Sequence, residues 1–483
     1  MIRKNPLKPS ERMKIARQEP SEQDPQKRAL NFLEVSFGLE EATIHAEASR
    51  CLECDEATCV EGCPVGIDIR SFIQYIFEKD YVGALAKIRE ANYLPAICGR
   101  VCPQETQCES LCILGKKFKP VAIGKLERFV ADYELHTGGG PTTQKPDKRK
   151  EKVAIVGSGP AGLTCAAELA RIGFGVTVFE ALHAVGGVLR YGIPEFRLPK
   201  DILDVEVERI KGLGVEIITN FVVGRTATID ELFHEWGFSA VFLATGAGTP
   251  TFMDIPGENL SGVYSANEFL TRVNLMGAYR FPESDTPVKI GKRVAVIGGG
   301  NTAMDAVRTA RRLGAEHAYL IYRRSREEMP AREEEIHHAA QEGIEFMFLT
   351  TPVRIIGDEK RSVMAIECKK MALGAPDESG RRRPTPVDGS EFELQMETVI
   401  LAIGQKPNPV IQATTPGLTI GARGTVKVND KQETSRKAIF AGGDLARGGA
   451  TVILAMRDGK RAAEEIRLFL ESSTENASRD VHA

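Results

Sequence analysis

The sequence offers no run of about 18 apolar residues outside its Gly-rich segments, so no membrane-spanning helix is expected. The opening stretch, MIRKNPLKPSERMKIARQEP, has no apolar core of the kind a secretory leader needs. Neither sign of charge dominates: 63 Lys and Arg stand against 66 Asp and Glu, a net charge of −3. That balance gives no electrostatic reason to expect nucleic acid as a partner. There is no short-period repeat. Cysteine is missing from the first fifty residues and rare after 112, because eight of the ten lie between Cys51 and Cys112. Without a leader the expected compartment is the cytoplasm, where thiols stay reduced. A crowd of cysteines there reads as metal ligands before disulfides.

With 42% hydrophobic and 27% charged residues, the chain is neither disordered nor fibrous. Its 483 residues suit roughly two to four domains, each with its own core. Residues 1 to about 45 are charged and interrupted by Pro6, Pro9, Pro20 and Pro25, which predicts an extended arm running into a helix near Glu40–Arg50. SFIQYIFEKDYVGALAKIREA (71–91) has a helical pattern. TGGGPTTQKPDKRKEK (137–152) reads as a linker. Beyond it, strands alternate with helices. VAIVG, AGLTCAAELARIG and GVTVFE (153–180) make one βαβ unit, and RVAVIGGG, NTAMDAVRTARRLG and AYLIYRR (293–324) make another. VFLATGAG (241–248), VILAIGQKPN and AIFAGGDLA read as strands that pass the chain between the two units, so the second is expected to be inserted in the first.

In GSGPAG, Gly157 permits the tight turn, Gly159 lets backbone approach a pyrophosphate, and Gly162 allows close helix–strand packing. Pro160 and Ala161 open the helix, and Glu180 stands where an acid meets an adenosine ribose. The second turn, Gly298-Gly299-Gly300-Asn301-Thr302-Ala303, ends in an allowed Ala. Its next strand ends in Tyr322-Arg323-Arg324, with no acid. An acid would repel a 2′-phosphate and a guanidinium fork would bind one, which predicts NADPH, with Arg323 and Arg324 as the discriminating pair. In AGGDLARGGATVILAMRDG, Gly443 and Asp444 would face a ribityl chain. The helix starting near Thr451 and Val452 would aim its dipole at the pyrimidine edge of a flavin. The first site is therefore expected to hold FAD, with Gly187, Leu189, Arg190, Ala244 and Gly246 lining it.

CLECDEATCVEGCP (51–64) and CGRVCPQETQCESLC (98–112) each hold four cysteines. Cysteine before proline often ligates the other cluster in two-cluster iron–sulfur proteins. Cys51, Cys54 and Cys59 then form one corner set, and Cys63 crosses over. Two structural zinc sites are the alternative, but beside a flavin and NADPH electron transfer is the more economical reading. GGVLRYGIPEFRLP (186–199) lacks the cysteine pair of flavin disulfide reductases, and Cys165 and Cys368 read as core. Electrons would therefore leave through clusters.

Together these motifs, with AIGKLERF and YRRSREEMPAR, resemble the glutamate synthase small (beta) subunit family from about residue 30 to 470. That family includes the large subunit of NADH-dependent reduced ferredoxin:NADP oxidoreductase and the N-terminal half of dihydropyrimidine dehydrogenase. The resemblance implies two [4Fe–4S] clusters. Cys51, Cys54, Cys59 and Cys112 would bind one. Cys63, Cys102 and Cys108 would bind the other, with Glu127 of Ile123-Gly124-Lys125-Leu126-Glu127 as fourth ligand and Cys98 left out. The expected fold is α/β: a helical bis-[4Fe–4S] domain (1–136), a linker (137–152), a Rossmann-like FAD domain (153–287 and 405–470), an inserted NADPH domain (288–404) and a tail (471–483).

The expected activity is NADPH-linked oxidoreduction: hydride to flavin N5, then single electrons through the clusters to a partner. No acid or base catalyst is named. The partner is either a small flavin and [2Fe–2S] protein of a ferredoxin-linked, bifurcating complex, or a glutamate synthase large subunit. MALGAPDESGRRRPTPVDGSEF (371–392) and the short cysteine region lean toward the first, and ferredoxin itself is a possible acceptor. The chain has no FMN-barrel pattern and no cysteine before Cys51 to serve as an amidotransferase nucleophile, so alone it is not expected to make glutamate from glutamine. A redox sensor or scaffold without turnover is the reading from another class.

Overall fold

A computed structural model describes residues 6–138, 146–378 and 380–480. Part of the expected linker (139–145) and the last residues of the expected tail (481–483) lie outside them.

Short, continuously apolar strands build two parallel sheets with the same plan, as strands covered on both faces require. In the first, the order is Ile439–Ala441, Ala240–Leu243, Lys152–Val156, Gly175–Phe179, Glu216–Ile218. Val153 pairs with Val176 on one side and Ala240 on the other. In the second, the order is Val263–Ser265, Thr398–Leu401, Arg293–Ile297, His317–Tyr322, Glu345–Phe348. Helix Pro160–Arg171 leaves the central strand of the first sheet, and Asn301–Arg312 leaves that of the second. Both helix N-termini thus lie at the carboxyl ends of the strands, where ligands bind in such sheets.

The chain passes between the units at one antiparallel contact, Thr249–Pro250 against Gln405–Lys406. The second unit is inserted in the first. It begins earlier than residue 288, because Val263–Ser265 pairs with Thr398–Leu401 and helix Ala266–Asn274 packs in the second core. The last helix, Val452–Asp480, runs on through the expected tail.

The N-terminal region is helical: Glu41–Ser49, Ile69–Phe77, Tyr81–Arg89, Pro95–Val101 and Ile123–Thr137 surround the cysteine loops. Residues 71–91 are two helices, broken at Glu78–Asp80, where the Asp80 side chain caps the second. Ile44, Phe72, Ile97 and Leu126 share one apolar cluster with Val153, Leu163 and Met456. The cysteine region and the first nucleotide unit therefore have a common core. The arm before it makes short helical turns, Pro9–Arg12 and Pro25–Arg28. It then reaches the second unit: Phe32 stacks on Tyr279 at 4.6 Å between ring centres, and Arg28 donates to Glu342 at 3.0 Å.

After Glu345–Phe348 the second unit carries an antiparallel sheet of Thr350–Gly357, Val363–Pro376, Arg382–Pro386 and Phe392–Gln395. From Met371 outward, Val363–Pro376 pairs with Arg382–Pro386 as a two-stranded ribbon.

Candidate functional site

The first phosphate turn is built as its glycines require. Gly157 has φ +103°, and a Cβ there would lie 2.5 Å from the Ala244 carbonyl oxygen. Gly159 begins helix Pro160–Arg171 in extended conformation, with open space where its Cβ would point, and Pro160 and Ala161 follow at the helix start. Gly162 lies against the Gly157 carbonyl. Glu180 is buried and already engaged. It accepts hydrogen bonds from the Ser158 amide (3.0 Å) and hydroxyl (2.5 Å), and from the Leu182 amide (2.9 Å). The Ser158 hydroxyl also accepts from the Gly186 amide at 3.0 Å. Ser158 thus ties the turn to the 186–190 loop. Within GSGPAG it was an unassigned small residue, and nothing in the pattern marked it.

That loop packs against the turn: Gly187 comes close to Gly159, Leu189 is buried, and Arg190 donates to the Val185 carbonyl at 2.7 Å and pairs with Asp204. Ala244 and Gly246 close the same end of the sheet after Ala240–Leu243. Opposite stand Gly443, whose amide donates to Asp458 at 2.9 Å, and Asp444, which accepts from the Ala450 amide at 3.1 Å. Burial pushes the Asp444 carboxyl up to about 6. Thr451 and Val452 begin the long helix, with the Thr451 hydroxyl accepting from the Leu454 amide at 3.4 Å.

In the second unit Gly298 takes φ +148° beside the Ala402 carbonyl, and Gly300 precedes helix Asn301–Arg312. The Asn301 side chain accepts from the Arg332 amide at 3.0 Å, and Thr302 is exposed. The two expected arginines are not brought together. Arg323 is exposed, whereas Arg324 is buried against Asp377 at 2.5 Å.

The cysteines sort into two neighbourhoods. Cys51, Cys54, Cys59 and Cys112 lie within each other's electrostatic reach; Cys63, Cys102 and Cys108 share another with Glu127. Burial pushes Cys51 up to about 12 and Cys59 and Cys63 up to about 11, values that iron coordination would reverse. Glu127 comes to this place through Gly99. A Cβ there would lie 2.7 Å from the backbone of Arg128, so helices Pro95–Val101 and Ile123–Thr137 approach closely only because it has none. Burial raises the Glu127 carboxyl to about 8, against the Asn92 amide that donates to it at 2.7 Å. One cavity is lined by Cys63, Cys102, Cys108 and Glu127, and by Cys98, whose sulfur lies 3.5 Å from that of Met456. Ile453 lines it too, so the helix that starts at the expected flavin edge also touches the second cysteine set. Among the described residues no three His, Cys, Asp or Glu side chains are close enough to hold a single ion. Ligands around a four-iron cluster instead stand about its volume.

Residues 28–139 match the dihydropyrimidine dehydrogenase domain II, 4Fe–4S cluster family, and residues 151–459 match the pyridine nucleotide-disulphide oxidoreductase family. The glutamate synthase [NADPH] small chain of Halomonas elongata is 37% identical over 95% of this chain and 97% of that relative. The chain belongs to the glutamate synthase small-chain family. As such it is an oxidoreductase, and the family's cofactors are FAD, NADPH and [4Fe–4S] clusters. The two glycine turns and the two cysteine neighbourhoods just described, the second with Glu127, have the donor types and turn geometry these groups need. The beta subunit of the NADP(+)-dependent formate dehydrogenase of Moorella thermoacetica is 41% identical over 86% of this chain, which spans only 60% of that relative. Mycobacterium tuberculosis FprA in complex with NADPH shares the fold, with a TM-score of 0.56 at 22% identity, over 68% of this chain and 86% of its own. Among the described residues no helix is long and apolar enough to cross a membrane.

Proposed function

We propose that the chain is the NADPH- and FAD-binding subunit of a cytoplasmic electron-transfer complex, delivering electrons to a second redox subunit. When bound, FAD takes an electron pair as hydride from NADPH, and the clusters pass electrons one at a time. The chain's residues hold and orient these groups. The turns at Gly157 and Gly298 receive the two pyrophosphates. The helix N-terminus at Val452 would stabilise the flavin edge that gains negative charge. Arg323 meets the 2′-phosphate. Cys51, Cys54, Cys59 and Cys112 hold one cluster; Cys63, Cys102, Cys108 and Glu127 hold the other. The observation that carries this reading is the long helix: it begins at Val452, just after Asp444 of the first unit, and its Ile453 lines the cavity of the second cysteine set while Met456 touches Cys98.

Two partners are supported by different observations. The end-to-end match to a glutamate synthase small chain favours a glutamine amidotransferase large subunit. The ribbon sequence at 371–392 favours a small flavin and [2Fe–2S] subunit of a ferredoxin-linked complex. The test of the shared reading is dye reduction by the pure, cofactor-replete chain. NADPH should drive it faster than NADH, with about eight iron atoms and one FAD per chain. No NADPH-dependent reduction would leave a sensor or scaffold as the better reading.

A further inference from the structure

The adenosine ribose of a dinucleotide bound in such a unit lies past the second strand. Here that strand, His317–Tyr322, runs into Arg323 and Arg324. Arg324 has little left to offer a phosphate. It is 5% exposed, its Nη2 donates to Asp377 at 2.5 Å, and its Nε donates to the Arg382 carbonyl at 2.8 Å. Asp377 and Arg382 flank the tip of the ribbon, more than fifty residues further along the chain. The ribbon's root is fixed at the same place, because the Met371 amide donates to the Leu349 carbonyl at 2.8 Å and the Leu349 amide donates to the Arg324 carbonyl at 3.1 Å.

The ribbon thereby carries a third guanidinium to the end of the strand. The Arg382 side chain is about half exposed, and its Nε donates to Glu328 at 2.6 Å. Glu328 is itself fixed in the loop after the strand by the Ser325 amide (3.2 Å) and hydroxyl (2.5 Å). One edge of Arg382 is thus held by the loop, and its two terminal nitrogens make no other hydrogen bond among the described residues. A planar guanidinium fixed along one edge, with a free pair of donors, suits bidentate binding of a phosphate.

We propose that the ribbon is part of the coenzyme-specificity site: Arg382 completes with Arg323 a clamp for the 2′-phosphate of NADPH, and Arg324 and Asp377 are positioning residues that pin the ribbon over it. The proposal rests on the reading that the second unit takes NADPH. Glu328 and Glu327 bring negative charge to the same loop, and Arg382 is the cation that offsets Glu328.

The test is calorimetric binding of 2′,5′-ADP and 5′-AMP to the full-length holoprotein, which reads the phosphate without turnover. The wild type should prefer 2′,5′-ADP. Arg382→Ala should weaken 2′,5′-ADP roughly ten- to a hundred-fold, the usual worth of a charge-assisted hydrogen bond, and leave 5′-AMP unchanged. Arg382→Lys should recover part of the loss, as a point charge without the fork. Asp377→Asn separates pinning from simple electrostatics. Removing a negative charge should strengthen phosphate binding if charge alone matters, but should weaken it several-fold if Asp377 holds the ribbon in place. Unchanged 2′,5′-ADP affinity in Arg382→Ala, or a gain in Asp377→Asn, overturns the proposal. A wild type without preference for 2′,5′-ADP overturns the NADPH reading itself.

Discussion

The Arg197 guanidinium joins the two nucleotide units: its Nη1 donates to both carboxylate oxygens of Asp305, at 2.7 and 2.9 Å. Arg197 belongs to the 186–199 loop beside the first phosphate turn, and Asp305 to the helix after the second. Arg197 Nε also reaches Glu335 at 3.1 Å. Both partners of the main pair are buried.

Breaking this pair from one side leaves an uncompensated buried charge, at a cost of about 3–5 kcal/mol. Arg197→Met and Asp305→Leu are each expected to destabilise by that order. The double variant should be less destabilised than the sum of the two. The single variants should also slow flavin reduction by NADPH in stopped-flow, because the pair sets how the two units face each other. Additive losses with unchanged reduction would assign the pair no coupling role.

Much of this geometry lies outside what a sequence pattern can carry. The glycine turns were legible because a tight turn with positive φ restricts the residue type. The thiols were legible because eight of them crowd two loops. The Arg28–Glu342 contact spans 314 residues, and the Arg324–Asp377 contact spans 53. No local periodicity encodes either. The early start of the second unit was missed for a physical reason: Val263–Ser265 is an edge strand of three residues, too short to give an apolar run. That Glu127 is buried beside Cys63, Cys102 and Cys108 was not legible in its helix pattern, which equally suits a surface acid.

The arm should act as a strap. Phe32→Ala removes a stacked ring from Tyr279 and from the neighbourhood of Phe196, whose ring centre is 6.2 Å away. The expected result is faster protease cleavage near the crossing at Thr249–Pro250 and Gln405–Lys406, with the cluster content unchanged. Limited proteolysis followed by mass spectrometry checks this.

Lys200 predicts a pH effect. Its ammonium nitrogen donates to the Ile193 and Leu198 carbonyls at 2.6 and 2.7 Å, contacts a neutral amine can keep. Burial pushes the group down to about 7 from 10.5, with Glu195 opposing only in part. Between those values the unfolded chain holds a proton that the folded chain has lost, so stability should rise with pH across that window. Lys200→Met should flatten the rise, as read from melting temperatures between pH 7 and 10. A parallel profile in the variant would remove Lys200 as the source.

Glu127 and Cys98 make opposite predictions although they line one cavity. Cys98→Ala should keep the full iron content and nearly unchanged cluster spectra. Glu127→Ala should alter the electron paramagnetic resonance of one cluster or lose about four iron atoms. Matching spectra in Glu127→Ala and wild type would transfer the fourth ligand to another group.

The most direct test of the central claim is anaerobic purification of the tagged chain from its native source, with mass spectrometry of what accompanies it. A second redox subunit should co-purify and speed NADPH oxidation by the complex. A large amidotransferase chain would make this the glutamate synthase small subunit, and a small flavin and [2Fe–2S] protein would make it ferredoxin-linked. A chain recovered alone, carrying its cofactors but unable to pass electrons from NADPH to any dye, would contradict its assignment as an electron-delivering subunit.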